Sequence, residues 1–280
     1  MTNKVRLNAD TNSGPSPAIF RDLGHLRDDA DMGLCVFFDD DFLMPYTLAS
    51  ATAQGPFYTY QDSAVTIKGK AINDTDIELG VLDIDVLDTD NDEGSIQFGT
   101  QNQWRLDNTA GNTSKVGYEV RLRVDELAAN ETAIMVGFVE GPLVTAVAVD
   151  DTGALKSSIS FVGFITYPSA PTTLQIGYQD TGTAGITIIN NAAGTLVENT
   201  YVKLGMLFDP YSRDSNKAMT FFVDGVAVDS ATLAEVNAST FPEAEGMVPF
   251  VLGKTYGSGT SGTVSIDRAT AFMYRNAVQG

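Results

Sequence analysis

Residues 117–127 read GYEVRLRVDEL, and their pattern decides the fold class. Apolar side chains occupy alternate positions from Tyr118, and the positions between them hold the charged residues Glu119, Arg121 and Arg123. Side chains of a β-strand point alternately to opposite faces, so one face of this segment would pack on a core and the other would meet solvent. The segment therefore predicts a strand in a sheet with one buried face.

Similar segments occur on both sides of this strand. Each is short, rich in β-branched and aromatic residues, and bounded by Gly, Asp, Asn or Pro. In chain order they are AVTIKG (64–69), AIMVGFVEG (133–141), SISFVGFITY (158–167), TLQIGYQD (173–180), GITIINNAAG (185–194), YVKLGMLFD (201–209), AMTFFVDGVAVDS (218–230) and VSIDRATAFMYR (264–275). Asp224-Gly225 predicts a tight hairpin, and a helical turn fits only near 231–236. Many short strands separated by turns predict an all-β sandwich or barrel over residues 36–280.

Composition excludes several classes of function. The 280 residues include 17 Lys+Arg and 36 Asp+Glu, which gives a formal charge of −19. A surface this acidic repels nucleic acid and anionic membranes, so we expect neither as a partner. The chain has no stretch of 18 apolar residues and no signal-peptide pattern at its start, so we expect a cytoplasmic product without membrane insertion. The single cysteine, Cys35, excludes an intramolecular disulfide and is interpreted as a small core residue.

Residues 1–35 differ from the rest and are expected to form an N-terminal arm. Ser16 is a possible N-cap and Pro17 suits the first helical position, which predicts a short helix through about Asp29. One face of this helix would hold the apolar residues Ile19, Phe20, Leu23 and Leu26. Leaving that face in water is costly, and the surrounding proline and glycine favour an extended arm. We therefore predict that these four residues bind a partner.

Two groups of acidic residues were considered as sites. Asp88, Asp90 and Asp92 have the spacing of a calcium loop, but Glu93 stands where an EF-hand needs glycine and Gly99 where it needs a bidentate glutamate. A solvated acidic turn, with weak calcium binding or none, is the better interpretation.

Asp83 and Asp85 would share one face of a strand, as the two carboxylates of a glycosidase do. Jelly-roll glycosidases use a Glu-x-Asp-x-Glu pattern there, whereas the next residue on this face is Leu87. We therefore expect no catalytic role for this pair.

The remaining residues give no sign of catalysis or of a cofactor. His25 is the only histidine, so nucleophile–histidine mechanisms and histidine-rich zinc sites find no support. GKTYGSGTSG (253–262) lacks the pattern of a phosphate-binding loop. Trp104 and Tyr256 could form a sugar-stacking surface if exposed, although packing in the core or at an edge suits Trp104 better. We expect no enzyme activity, no cofactor and no metal.

The strand motifs, in their order along the chain, resemble those of concanavalin A-like (laminarin-G-like) jelly-roll proteins. These motifs are YEVRLRV, AIMVGFVEG, SSISFVGFITY, YVKLGMLFDP, MTFFVDGVAV and IDRATAFMYR. The segments NSGPSPAIFRDL, FFDDDF and DTDNDEGSIQFG resemble a group of tailed-phage virion proteins with a Gly-Pro-Ser leader and a jelly roll. The resemblance covers about residues 14–275. It implies a jelly-roll sandwich of two antiparallel sheets in which DDF begins the first strand. Phe38 or Phe42 would point inward, and the aspartates would lie at the strand edge or in solvent.

The same resemblance implies a function. We expect a capsid decoration (cement) protein on the outer capsid surface of the virion, assembled in the host cytoplasm. Its partner would be the major capsid protein. We also expect a homo-oligomer, with a trimer favoured over a dimer. The alternative is a receptor- or carbohydrate-binding tail or fibre protein of the virion.

Overall fold

The computed structural model describes residues 35–42, 47–48, 52–54, 57–62, 65–69, 80–86, 91–99, 104–106, 114–128, 132–141, 143, 145–146, 154–183, 185–210, 212, 214–242, 246–257 and 262–275. The predicted arm and its helix, with Ile19, Phe20, Leu23 and Leu26, lie outside these residues. The strands are β1 (Cys35–Asp40), β2 (Thr47–Leu48), β3 (Thr52–Gln54), β4 (Phe57–Gln61), β5 (Thr66–Gly69), β6 (Leu82–Val86), β7 (Glu93–Phe98), β8 (Ser114–Val124), β9 (Thr132–Glu140), β10 (Phe161–Tyr167), β11 (Ala170–Gln179), β12 (Thr187–Thr195), β13 (Val202–Phe208), β14 (Met219–Val223), β15 (Val226–Ala231), β16 (Met247–Thr255) and β17 (Gly262–Arg275).

These strands form two antiparallel sheets. Sheet A has the order β15-β14-β13-β8-β17-β6-β5-β2, with β1 paired to the second half of β17. Sheet B has the order β12-β11-β10-β9-β16-β7-β4-β3. The prediction of an all-β sandwich of two antiparallel sheets is confirmed.

The core lies between the two sheets and contains most of the large apolar side chains. Tyr118 of sheet A contacts Phe138 of sheet B, with ring centroids 5.7 Å apart, and its hydroxyl donates to the carbonyl oxygen of Phe250. The alternation read from residues 117–127 is confirmed for the apolar face, because Tyr118 and Val120 are fully buried. The opposite face is not in solvent as predicted, because Arg121 is half-buried and Glu119 is buried, at 5% exposure.

The acidic stretch after Phe38 ends the first strand, whereas the sequence predicted that it begins that strand. β1 starts at Cys35 and finishes at Asp40. Asp40 then accepts a hydrogen bond from the backbone N–H of Phe42 at 2.7 Å, and Phe42 has a φ of 51°. This turn buries the Phe42 ring, while Phe38 packs on Phe57 and Phe98, so both phenylalanines point inward.

The predicted hairpin and helical turn are both present. Asp224 and Gly225, with φ of 50° and 76°, connect β14 to β15, and Asp-Gly suits a two-residue turn with two positive φ angles. The short helix α1 (Leu233–Val236) begins with a capping box, in which Thr232 and Glu235 bond to each other's backbone N–H. Within the residues that the structure covers, no helix is long and apolar enough to cross a membrane.

Candidate functional site

A connecting segment of the chain itself covers the outer face of sheet B. Ile96 and Phe98 face sheet A, so Gln97 between them points outward. Its amide oxygen accepts from Leu143 N–H at 2.9 Å, and its amide nitrogen donates to Leu143 O at 3.3 Å. Leu143 belongs to the connection between β9 and β10, and we call the described residues of that connection (141, 143, 145–146 and 154–160) the covering segment.

A second glutamine fastens the other end of the covering segment. Gln179, on β11, donates from its amide nitrogen to the carbonyl oxygens of Lys156 (2.9 Å) and Ile159 (3.0 Å). Lys156 in turn donates to the carbonyl oxygen of Ala146 within the same segment. Leu143 and Leu155 are buried beneath it. The covering segment therefore occupies the face of sheet B that an open groove would need.

Three glycines lie side by side on the outer face of sheet B. Gly137, Gly163 and Gly177 stand opposite one another on β9, β10 and β11. A Cβ on Gly137 would lie 2.1 Å from the carbonyl oxygen of Val162, and one on Gly177 would lie 2.5 Å from Ile186 Cγ2. Larger residues would push these neighbours apart, so the glycines allow the close approach.

Polar groups line the other part of the covered face. Glu93, Ser95 and Gln97 project outward from alternate positions of β7, and Lys254 stands opposite Glu93 on β16. The Lys254 Nζ and Glu93 Oε2 atoms are 3.7 Å apart, and their side chains are 2% and 0% exposed. Within the described part of the chain, the buried Ser95 Oγ has no hydrogen-bond partner. Desolvating both charges offsets much of their attraction, so this buried ion pair is weak evidence for added stability.

Two tyrosines, Tyr60 and Tyr256, lie beside these polar residues. Lys254 lies 5.5 Å from the ring centroid of Tyr256. Burial, followed by the negative charges of Asp62 and Glu93, raises the pKa of Tyr60. The phenol therefore stays protonated at neutral pH and is not a base there.

A second polar cluster lies at the end of sheet B. Ser160 Oγ is within 3.3 Å of both Glu140 Oε2 and Asp180 Oδ1, and Thr181 Oγ1 donates to Glu140 at 2.8 Å. Ser160 is fully buried and Thr181 is exposed, so the cluster reaches the surface. Within the described ranges, no three His, Cys, Asp or Glu side chains form a group that could hold a metal ion.

Asp83 and Asp85 share the outer face of sheet A, as predicted, and both have structural partners. Ser265 Oγ donates to Asp83 Oδ1 at 2.7 Å, and Asp83 is buried. Asp85 pairs with Lys68 at 2.8 Å and accepts from Thr263 Oγ1 at 3.2 Å. This arrangement ties β6 to β5 and β17.

The acidic stretch has a structural role on the same face. Both carboxylate oxygens of Asp39 accept from Arg268, at 3.0 and 2.8 Å, and Thr270 adds a third bond at 2.8 Å. Asp41 is exposed. The prediction that the aspartates lie at the strand edge or in solvent agrees with these contacts.

The other residues considered from the sequence divide into two groups. Trp104 and Tyr256 are both buried, at 2% and 8% exposure, so neither is a surface platform for a sugar. Asp92 is buried, at 3% exposure. His25, Asp88 and Asp90 lie outside the described residues, as does the Cys35 side chain, so the predictions about them stay predictions.

Comparison with solved structures gives the fold but no function. A Shewanella oneidensis protein of unknown function aligns with a TM-score of 0.55 and 12% identity, over 88% of this chain and 89% of that one. Peanut lectin, with a nine-residue peptide, aligns at 0.53 and 15%, over 87% and 99%. An endo-β-1,4-glucuronan lyase from the fungus Trichoderma reesei aligns at 0.52 and 12%, over 84% and 94%. The fold is the concanavalin A-like jelly roll.

This jelly roll is found in lectins and in at least one lyase, so the fold alone does not separate binding from catalysis. No protein-family model matches the chain. No curated protein matches it either.

Sequence reasoning missed the covering segment and the polar row beneath it. The alternation Glu93-x-Ser95-x-Gln97 was a usable signal, because it places three polar side chains on one face of a strand. That signal was interpreted only as the end of an acidic turn.

Proposed function

We propose that this chain is a structural protein of a tailed-phage virion, and that it decorates the outer capsid surface by binding the major capsid protein. In this role the jelly roll acts as a rigid body. It would add buried area between capsid subunits and so raise the energy needed to separate them. It would assemble in the host cytoplasm and act as a homo-oligomer.

The observation that supports this proposal is the closure of sheet B by the covering segment. Gln97 and Gln179 hold that segment on the face, and the Leu143 and Leu155 side chains of the segment are buried. In addition, no aromatic side chain whose burial the structure describes is exposed. A closed face without exposed aromatic residues suits a scaffold better than a sugar-binding or catalytic groove.

The sequence supplies the two other supports. The segments NSGPSPAIFRDL, FFDDDF and DTDNDEGSIQFG resemble those of phage virion proteins. The charge of −19 suits a protein on a DNA-filled particle, because it disfavours DNA binding. The arm would then attach the sandwich to the shell through Ile19, Phe20, Leu23 and Leu26.

The test uses particles that lack this protein. Full-length protein is mixed with them, and bound protein is measured by co-sedimentation and located by electron microscopy. Replacing Ile19, Phe20, Leu23 and Leu26 by serine should weaken binding and leave the circular dichroism spectrum unchanged. A control with Arg21→Ser and Asp22→Ser changes the same segment but keeps its apolar face. Equal binding of the two variants, or no density on the shell, would refute the proposal.

A second candidate is receptor or carbohydrate binding by a tail or fibre protein. The observation that favours it is the surface cluster of Glu140, Ser160, Asp180 and Thr181, on the fold that peanut lectin also has. Carboxylates and hydroxyls at a loop end can hydrogen-bond a sugar. Glycan-array binding that is lost in Thr181→Val, combined with electron density on the tail, would favour this function over decoration.

A further inference from the structure

One side of the sandwich is almost free of charge, although the chain is strongly acidic. Residues 157–197 contain a single charged residue, Asp180, and residues 181–197 contain none. At the average charged fraction of 19%, a 17-residue stretch would contain about three charges. The uncharged stretch includes β12, the edge strand of sheet B.

This uncharged stretch is exposed and lies beside the edge of the other sheet. β12 packs next to β15, which is the edge strand of sheet A. Among the residues whose burial is described, three large apolar side chains are exposed. They are Ile188 (38% exposed), Val197 (60%) and Val226 (65%). Ile188 lies on β12, Val197 follows β12, and Val226 begins β15. We call the exposed part of 187–197, together with Val226 and Ala227, the neutral flank; the exposed residues Glu198 and Asp224 border it, and Asp229 lies further along β15.

We propose that the neutral flank packs against the neutral flank of a second copy of this chain, about a two-fold axis. Two molecules with charges of −19 repel each other over most of their surfaces, and they approach at least cost where neither has charge. The same patch on both copies satisfies the symmetry of a two-fold interface. The exposed valines and isoleucine supply apolar area to bury.

The contact is made by side chains and does not extend the sheet. The β11–β12 pairing has two register shifts, between Leu174 and Ile176 and between Ile176 and Gly177. Irregularities of this kind bend an edge strand and prevent a continuous ladder with another strand. A nine-residue strand is roughly 30 Å long, and two sheet edges about 10 Å apart give a flank of roughly 300 Å² on each copy. The two copies would bury roughly 600 Å² in total, which is well below a standard interface and typical of a weak contact.

This inference gives the proposed homo-oligomer a two-fold interface, in place of the trimer that the sequence resemblance favoured, and its test does not use particles. Full-length protein is studied by sedimentation equilibrium at low and high NaCl. We expect dimers that become tighter as salt increases, because salt screens the general repulsion and the neutral contact contains no ion pairs to weaken. A monomer, a trimer, or an association that salt weakens would overturn the inference.

Matched variants locate the contact. Thr187→Asp and Ala192→Asp each place a charge on the flank, and the two-fold axis brings each charge near its symmetry copy, so dimerisation should weaken at least about tenfold. Thr145→Asp is the control, because Thr145 is also an exposed threonine but lies in the covering segment, near Leu143 and away from β12. If all three variants dimerise alike, the flank is not the interface. A monomeric protein that still binds capsids would refute this inference alone, and a dimer that binds no capsid would refute only the proposed function.

Discussion

Replacing Gln97 by alanine should release the covering segment from sheet B. Gln97 is fully buried, and its amide makes two hydrogen bonds with the backbone of Leu143, at 2.9 and 3.3 Å. Alanine removes both bonds and leaves a buried N–H and a buried C=O without partners. Each such group costs about 1–3 kcal/mol, so the two together should cost roughly 2–6 kcal/mol in the free energy of unfolding. For a protein of this size each kcal/mol lowers Tm by about 2 °C, so Tm should fall by roughly 4–12 °C.

Limited proteolysis separates local release from general destabilisation. Lys156 lies in the covering segment and is half-buried, with its Nζ donating to the Ala146 carbonyl oxygen. Trypsin should cut after Lys156 faster in Gln97→Ala than in the unchanged protein, at temperatures well below Tm. The control is Gln175→Ala, a glutamine on the same sheet face with no hydrogen bond to the described part of the covering segment.

The reasoning fails if Gln97→Ala and Gln175→Ala have the same Tm and the same cleavage rate at Lys156. It also fails if cleavage after Lys156 accelerates only as the whole protein unfolds. In either case Gln97 would not fasten the segment, and the closure of sheet B would need another explanation.

Three further predictions concern other parts of the sandwich. Phe98→Ala removes a buried ring that contacts four other aromatic rings, and should cost about 3–5 kcal/mol in urea unfolding; a loss below about 1 kcal/mol would contradict the packing described. Ser265→Ala removes the hydroxyl that donates to buried Asp83 at 2.7 Å, and should lower the free energy of unfolding by about 1–3 kcal/mol. If the protein hydrolysed laminarin and Asp83→Asn abolished that activity, the structural role of Asp83 would be contradicted. Burial raises the pKa of Tyr118 well above 10.0, so its contribution to stability is complete below about pH 10 and is lost as pH rises toward the folded-state pKa. Phenolate absorbance near pH 11 should therefore report fewer than ten tyrosines until the protein unfolds.

Local patterns in the sequence predicted the features that depend on neighbouring residues. The alternation around Tyr118 predicted the buried face of β8, Asp224-Gly225 predicted a hairpin, and residues 231–236 indicated the single helical turn of α1. In each case the interacting groups are within a few residues of one another, so composition and spacing describe the interaction.

Features that depend on distant residues were not predictable in this way. The covering segment has no regular alternation, and its position depends on Gln97, which is 46 residues away from Leu143. The resemblance places the acidic stretch at the start of β1, and nothing in DDDF itself shows that the strand ends at Asp40 and turns at Phe42. That turn depends on the aromatic rings of Phe57 and Phe98, which come later in the chain.

The pairing of β1 with β17 determines when this chain can finish folding. Cys35 stands opposite Tyr274, and β17 lies in the interior of sheet A, between β8 and β6. During synthesis, β1, β6 and β8 therefore lack β17, the strand with which all three pair, until residues 262–275 have left the ribosome. Sheet B needs nothing beyond β16, so its strands can pair first. Contacts this distant in sequence slow folding, and the half-built sheet exposes unpaired strand edges in the crowded cell. We therefore expect C-terminal truncations that remove β17 to aggregate rather than to yield a smaller sandwich.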